Sequence, residues 1–445
     1  MTPTKIDLLL NCKWIIPIVP ENQTLTDCAI AIDNGKIIGL LPQAEAARKF
    51  SAGKVQDLDH HIVMPGLVNS HGHAAMSLLR GYADDLPLRS WLENHIWPAE
   101  AKFLSEEFVR DGTRLSIAEM IRSGTTCFAD MYFFDEAIAT EVRNSGVRSQ
   151  ISFTVLDFPT PYGKNADDYI HKGLALRDNC KDQPLIKIAC APHAPYSVSD
   201  RALGILATYA NELDMAIHIH CHESASEITE SLQAYDCRPL ERLEKLGLLL
   251  PQTQLVHMTQ ITEDDIALVR DHNCHIMHCP QSNLKLANGF CPVVKFIENE
   301  VNVALGTDSA ASNNTLDLFS EIKSASLLAK AVSGDAASLD AHAALRMATI
   351  NGAKALAWDN EIGSLELGKQ ADIIAVKIDS ISQQPLYNPA SQLVYTNSGS
   401  QVSHSWVAGK TLLENRKLCT INERSLIQTT EQWRKKIHPD HEHFD

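Results

Sequence analysis

Read for hydrophobic and polar positions, the chain changes character twice. From Met64 onward, short apolar runs rich in β-branched residues alternate with helical patterns. The runs are IVMPGLVNSH, TTCFADMY, VRSQISFTVLD, LIKIACAPH, MAIHIHCHE, TQLVHMTQ, CHIMHCPQSN and VNVALGTDS. Between them lie amphipathic stretches such as SEEFVRDGTRLSIAEMIRSG, with Ser105 placed to cap a helix and Gly124 to end it. Strands alternating with helices imply parallel βα units. Eight such runs over roughly 300 residues predict a closed (β/α)₈ barrel of the TIM type rather than an open sheet.

The flanks read differently. Residues 1–63 and 366–445 carry short strand-like pieces and turn residues, as in AIAIDNGKIIGL and ADIIAVKI. Asn34-Gly35 is a two-residue hairpin signal. The flanks bracket the barrel segment, 64–365, so one small composite β-sandwich domain built from both termini is expected.

Charge and cysteine usage narrow the function classes. The 445 residues carry a formal net charge of −16 and no basic block, which argues against nucleic acid and anionic membranes as partners. The 11 cysteines are spread singly, without a C-x-x-C pair, which argues against a disulfide framework and a cysteine-type structural zinc. The run LLLNCKWIIPIVP is broken by Asn11, Lys13 and Pro17, a poor signal-peptide core and too short to span a bilayer. A cytoplasmic enzyme acting on a small molecule, and a homo-oligomer, is the expectation.

Several attractive motifs fail. GSLELGKQ approaches a P-loop, but Gln370 cannot replace the magnesium-binding hydroxyl. It reads instead as a turn before the strand ADIIAVK. HESAS puts Ser226 where a zincin helix needs its second histidine. Neither P-C-x-x-C nor G-x-S-x-G is present. With 19 histidines, roughly one H-x-H pair arises by chance, and His441 and His443 near the C-terminus read as such a pair in a solvated tail. His71 and His73 differ, because strand alternation puts both on one face. His193, His220, His257, His278 and Asp308 then recur at the ends of later runs. Residues gathered from several strand ends are how this barrel builds active sites.

In their order, PGLVNSHGH, APHAPYS, HIHCHE, LVHMTQ, HCPQSNLKLANG, GTDSAASNN and GSLELGKQADIIAV resemble the amidohydrolase superfamily. They look most like its 5'-methylthioadenosine/S-adenosylhomocysteine deaminase branch. The resemblance implies a metal site of His71, His73, His220 and Asp308. Three imidazoles and a carboxylate suit Zn²⁺, with Fe²⁺ also compatible by ligand type. Binuclear relatives carry a bridging lysine after the fourth strand. CAPHAPY has none, so one metal per subunit is expected. His218 shares the face of His220 one step deeper, as a packed residue or one supporting a ligand, and His222 lies one step beyond, at the rim. Glu223 reaches the same site only if the strand ends after Cys221, and that end is predicted.

The same resemblance implies hydrolytic deamination of an adenine nucleoside. Glu223 carries a proton from the attacking water to N1 of the ring and then towards ammonia. His257 polarises the water and Asp308 accepts its hydrogen bond. Glu100 accepts from two ribose hydroxyls, Trp91 packs on the nucleoside, His193 reaches the ribose or ring edge, and Ser312 contacts the purine edge. Some relatives bind the carboxylate of S-adenosylhomocysteine with arginines after the third strand. ISFTVLDFPTPYGK has Phe153, Thr154 and Phe158 and no arginine, only Lys164, and Arg148 precedes it. An apolar wall prefers a methylthio group, so 5'-methylthioadenosine is favoured over S-adenosylhomocysteine. Two rivals stand beside this reading: an amidohydrolase acting on guanine, a pterin or an s-triazine, and a non-catalytic barrel scaffold.

Overall fold

Each of the eight apolar runs contains one strand of a single parallel sheet. The computed structural model describes residues 2–438, so His441 and His443 lie outside the described residues. The strands are Leu67–Asn69, Thr125–Tyr132, Arg148–Val155, Ile186–Pro192, Ile217–Cys221, Thr253–His257, His275–His278 and Val303–Leu305, paired in chain order. The first and last strands meet as well. Ser70 N–H donates to Leu305 O at 2.9 Å, and Asp308 N–H to His71 O at 3.1 Å. The sheet therefore closes into a (β/α)₈ barrel. Gly306 permits this seam, since a Cβ there would lie 2.9 Å from the backbone of His71.

The helices follow from local signals. Glu106–Ser123 begins at Ser105, whose side chain accepts from Phe108 N–H, and stops at Gly124 in the left-handed region (φ 99°).

Both flanks join one mixed sheet of eight strands. At its centre Phe50–Pro65 runs parallel to Thr4–Ile15 and antiparallel to Ile373–Lys377. Asn34 (φ 49°) and Gly35 (φ 76°) turn the hairpin between Leu25–Asp33 and Lys36–Pro42. Its core gathers Leu10, Ile15, Ile30, Val63, Ile373 and Trp406. The far C-terminal segment departs from the strand-like expectation. Glu423–Ile437 is a helix capped by Asn422, and it lies on the barrel helix Glu106–Ser123. Its apolar face decides this: the Trp433 ring meets Phe108 at 5.4 Å, and its indole N–H donates to Asp111 at 3.0 Å.

Arg148 fastens barrel to flanking sheet. It is 1% exposed at the start of the third strand and forks onto Asp372, at 3.1 and 3.3 Å. That is a structural ion pair at the opposite end of the strand from the site. Among the described residues, no helix is long and apolar enough to cross a membrane.

Candidate active site

The C-terminal ends of the barrel strands converge on a cavity of about 500 Å³. His73, His193, His220, Glu223, His257 and Asp308 line it, together with Trp91 and Glu100. His71 lies just beneath, fully buried.

Two groups that share His71 could hold a metal ion: His71, His73 and Asp308, and His71, His220 and His257, the ligand atoms of each within 4.8 Å of one another. Asp308 Oδ1 is 3.3 Å from His73 Nε2 and 3.5 Å from His71 Nε2. His220 Nε2 is 3.3 Å from His71 Nε2. The other nitrogens are engaged: His73 Nδ1 with Met131 O at 2.5 Å, His220 Nδ1 with His193 O at 2.8 Å, and His71 Nδ1 with His218 Nε2 at 2.7 Å. A carbonyl only accepts, so His73 and His220 carry hydrogen on Nδ1 and turn Nε2 inward. His73 Nε2 thus faces a carboxylate oxygen at 3.3 Å. Two electron-rich atoms at that distance need a proton or a cation between them. Burial drives His71 and His220 well below the ordinary imidazole pKa, which keeps both neutral, as metal ligation requires. Burial would raise Asp308, but the neighbouring His71 and His73 rings outweigh it and hold the carboxyl well below its usual range. The donor types suit a zinc-type cation.

Glu223 enters the cavity because the strand stops. The strand ends at Cys221 and His222 is left-handed (φ 52°). The backbone N–H groups of His222 and Glu223 both donate to the Glu227 carboxylate, at 2.9 and 2.7 Å. Thr259 Oγ1 donates to Glu223 O at 2.8 Å. The expected break in alternation is therefore present, and the carboxylate four residues after Glu223 holds it. His222 is not at the rim. Its ring turns away, fully buried, and accepts from Leu240 N–H at 3.1 Å.

The Glu223 side chain is also held. Asn288 Nδ2 donates to its Oε1 at 2.9 Å, and His257 Nε2 lies 3.7 Å from the same oxygen. Burial raises the Glu223 pKa. His257 Nδ1 pairs with Asn283 Oδ1 at 2.8 Å, which turns its Nε2 to the site.

Ser312 is bonded to a site carboxylate. It is not on the cavity wall; Ser309 is. The Ser312 hydroxyl donates to Asp308 Oδ2 at 2.9 Å, and Ser282 donates to the same oxygen at 2.5 Å. The turn after Gly306 puts Ser312 behind the carboxylate, where its hydroxyl holds Asp308. His278 is absent from the wall too. Its neighbour Met277 packs with Val256 and Ala304, so alternation sends His278 to the other face.

At the mouth, a π-helical turn, Leu92–Ile96, joins the helices Leu88–Trp91 and Trp97–Phe103. Trp91 is 5% exposed, and its indole N–H has no partner. Glu100 accepts from the Tyr132 hydroxyl at 2.6 Å, and burial raises its pKa. His193 Nδ1 pairs with Ser197 Oγ at 3.0 Å, and its Nε2 is left towards the cavity. The rest of the wall is mostly apolar, with Leu156, Phe158, Pro159 and Tyr196 on one side. Among the described residues, no lysine or arginine lines the cavity.

Residues 62–412 match the amidohydrolase family model. The chain belongs to the amidohydrolase family. A 5-methylthioadenosine/S-adenosylhomocysteine deaminase of Teredinibacter turnerae is 50% identical over 434 residues, 98% of each chain. A 5'-deoxyadenosine deaminase of Methanobrevibacter smithii is 40% identical over 378 residues, 84% of this chain and 86% of the other. Among solved structures, an adenosine deaminase from Xanthomonas campestris with bound zinc superposes with a TM-score of 0.97 at 45% identity, covering 98% of this chain and 100% of that one. Sequence reasoning missed Asn283, Asn288 and Ser282, which hold His257, Glu223 and Asp308. All three sit in HCPQSNLKLANG, so the motif was visible while its roles were not.

Proposed function

We propose that this amidohydrolase is a zinc-dependent deaminase of adenine nucleosides, converting 5'-methylthioadenosine to 5'-methylthioinosine and ammonia. S-adenosylhomocysteine is a weaker substrate, giving S-inosylhomocysteine. His71, His73, His220 and Asp308 hold one zinc per subunit. When bound, the ion supplies Lewis acidity that brings the pKa of a water close to neutrality.

The side chains do the rest. Glu223 takes a proton from the attacking water and delivers it to N1 of the adenine ring, where negative charge grows as C6 is attacked. It then passes a proton towards the departing ammonia. A positioned acid/base of this kind supplies roughly 10²–10⁴ in rate. Its burial raises the carboxyl pKa, the direction that suits a group holding and releasing a proton. Asn288 keeps Oε1 in place. His257, turned by Asn283, polarises the attacking water, and Asp308 accepts a hydrogen bond from it. Glu100 takes the ribose diol on the carboxylate positions that Tyr132 leaves free. Trp91 packs on the nucleoside and His193 reaches its ribose or ring edge.

One observation carries this reading: Glu223 and Glu100 line the same cavity as the imidazole–carboxylate cluster, so a ring at one end and a diol at the other have partners at once. The cation-free wall supports the substrate preference, because a buried carboxylate without a cation is costly. The relative acting on 5'-deoxyadenosine agrees with a short, uncharged 5' substituent. The test is an absorbance screen for loss of the adenine amino chromophore, across 5'-methylthioadenosine, S-adenosylhomocysteine, adenosine, guanine and an s-triazine. Fastest turnover of 5'-methylthioadenosine is expected. Faster turnover of a free base or triazine would overturn the proposal.

A further inference from the structure

The three imidazoles at the metal point are held in two different ways. His73 and His220 each give Nδ1–H to a backbone carbonyl. His71 pairs with another ring nitrogen, His218 Nε2, and such a pair leaves the proton's owner open. The bonds beyond it decide the matter. Ala355 O only accepts, and a Gln254 side-chain atom lies 2.7 Å from it, so that atom is the amide nitrogen. The other Gln254 atom, Oε1, faces His218 Nδ1 at 2.6 Å, so His218 carries hydrogen on Nδ1. His218 is fully buried, bonded to Gln254 and His71. Without an anion beside it the ring is neutral. Its Nε2 is then an acceptor, His71 Nδ1 is the donor, and His71 Nε2 is bare on the cavity side. Gln150 locks the far end. Its amide exchanges two hydrogen bonds with Gln254, at 2.7 and 3.0 Å, and donates to Ser152 Oγ at 3.1 Å.

We infer that Gln254, acting through His218, fixes the tautomer of His71 and thereby sets the zinc affinity of the site. Gln254 and His218 are positioning residues, and Gln150 holds Gln254. The inference rests on the proposed zinc site. Without the acceptor at 254, His218 is free to carry its hydrogen on Nε2. That hydrogen would face His71 Nδ1, make it an acceptor, and move the His71 hydrogen onto the nitrogen that must bind zinc.

The test measures zinc affinity of the full-length chain by chelator competition, and the rise in thermal midpoint that zinc produces. Gln254→Leu should weaken zinc binding roughly 10–100-fold and shrink that rise. Gln254→Asn keeps a neutral amide acceptor on a shorter arm and should lose clearly less affinity than Gln254→Leu, whatever its overall stability. A merely structural role predicts another pattern: the midpoints of zinc-free and zinc-bound protein fall together and their difference stays. That result would overturn the inference, as would equal losses of affinity in the two variants. His220→Ala separates the two layers. If it releases zinc while Gln254→Leu binds normally, the relay fails and the zinc site stands. If the parent chain binds no zinc, both fall.

Discussion

The two ends of the cavity are built to opposite standards. At the metal end nearly every polar atom is spoken for. His73 and His220 lean on carbonyls, Asp308 takes two hydroxyls and a backbone N–H, and Glu223 is fixed in main chain and side chain. At the mouth the Trp91 indole N–H and the Thr154 hydroxyl are buried without partners, and Phe158 and Tyr196 are about half exposed. The difference teaches where precision matters. Stabilising charge that develops in a transition state requires donors and acceptors already in place. Recognising a nucleoside requires polar atoms kept open for it, amid apolar surface that the substrate will cover.

This contrast can be broken at either end, and the largest effect belongs to the metal end. His220→Ala should leave no zinc by metal analysis of the purified chain and no measurable deamination. Full zinc content in that variant would dissolve the proposed ligand set. Next comes Glu223→Gln, which should retain zinc and lose roughly 10²-fold or more in kcat, because an amide can hydrogen-bond but cannot shuttle a proton. A rate within about threefold of the parent, where the expected loss is far greater, would assign the proton to another group.

The mouth should respond more selectively. Charged hydrogen bonds are worth about 1.5–3 kcal/mol each, and Glu100→Ala removes up to two of them. It should lower kcat/KM for 5'-methylthioadenosine by roughly 10²-fold or more. The loss should be much smaller on a 2',3'-dideoxy analogue, which has no diol to hold. Equal losses on both substrates would make Glu100 a structural residue. The smallest effect is expected from Tyr132→Phe. It removes one bond to Glu100 and should raise KM for the diol substrate roughly 3–10-fold with kcat little changed, the size of a single modest hydrogen bond. A fall in kcat with KM unchanged would instead link Tyr132 to the chemical step.

Much of this was legible in the one-dimensional pattern. Eight apolar runs separated by amphipathic stretches determine a parallel barrel, because each strand needs a covering helix before the next can pair. The H-x-H pair was legible as a motif, though the strand ends at Asn69 and both histidines follow it, and the strand end after Cys221 was readable because alternation is strictly local. So was the absence of arginine after the third strand. The sequence could not assign the partners of these groups. The Ser312 hydroxyl's bond to Asp308 appears only once the turn after Gly306 is formed. His222 looked like a rim residue until Leu240 claimed its ring, and His278 stood at a run's end like the others until Met277 took the inward face. Asn288 and Glu223 are 65 positions apart, Gln150 and Gln254 104 apart. Hydrogen bonds depend on a few tenths of an ångström and on angle, and only closure of the barrel brings such distant residues within that range. The sequence by itself thus determined which chemical groups the protein carries and which strand ends present them. The tertiary structure alone decided which nitrogen of each imidazole faces the cavity, and which side chains hold the acting ones still.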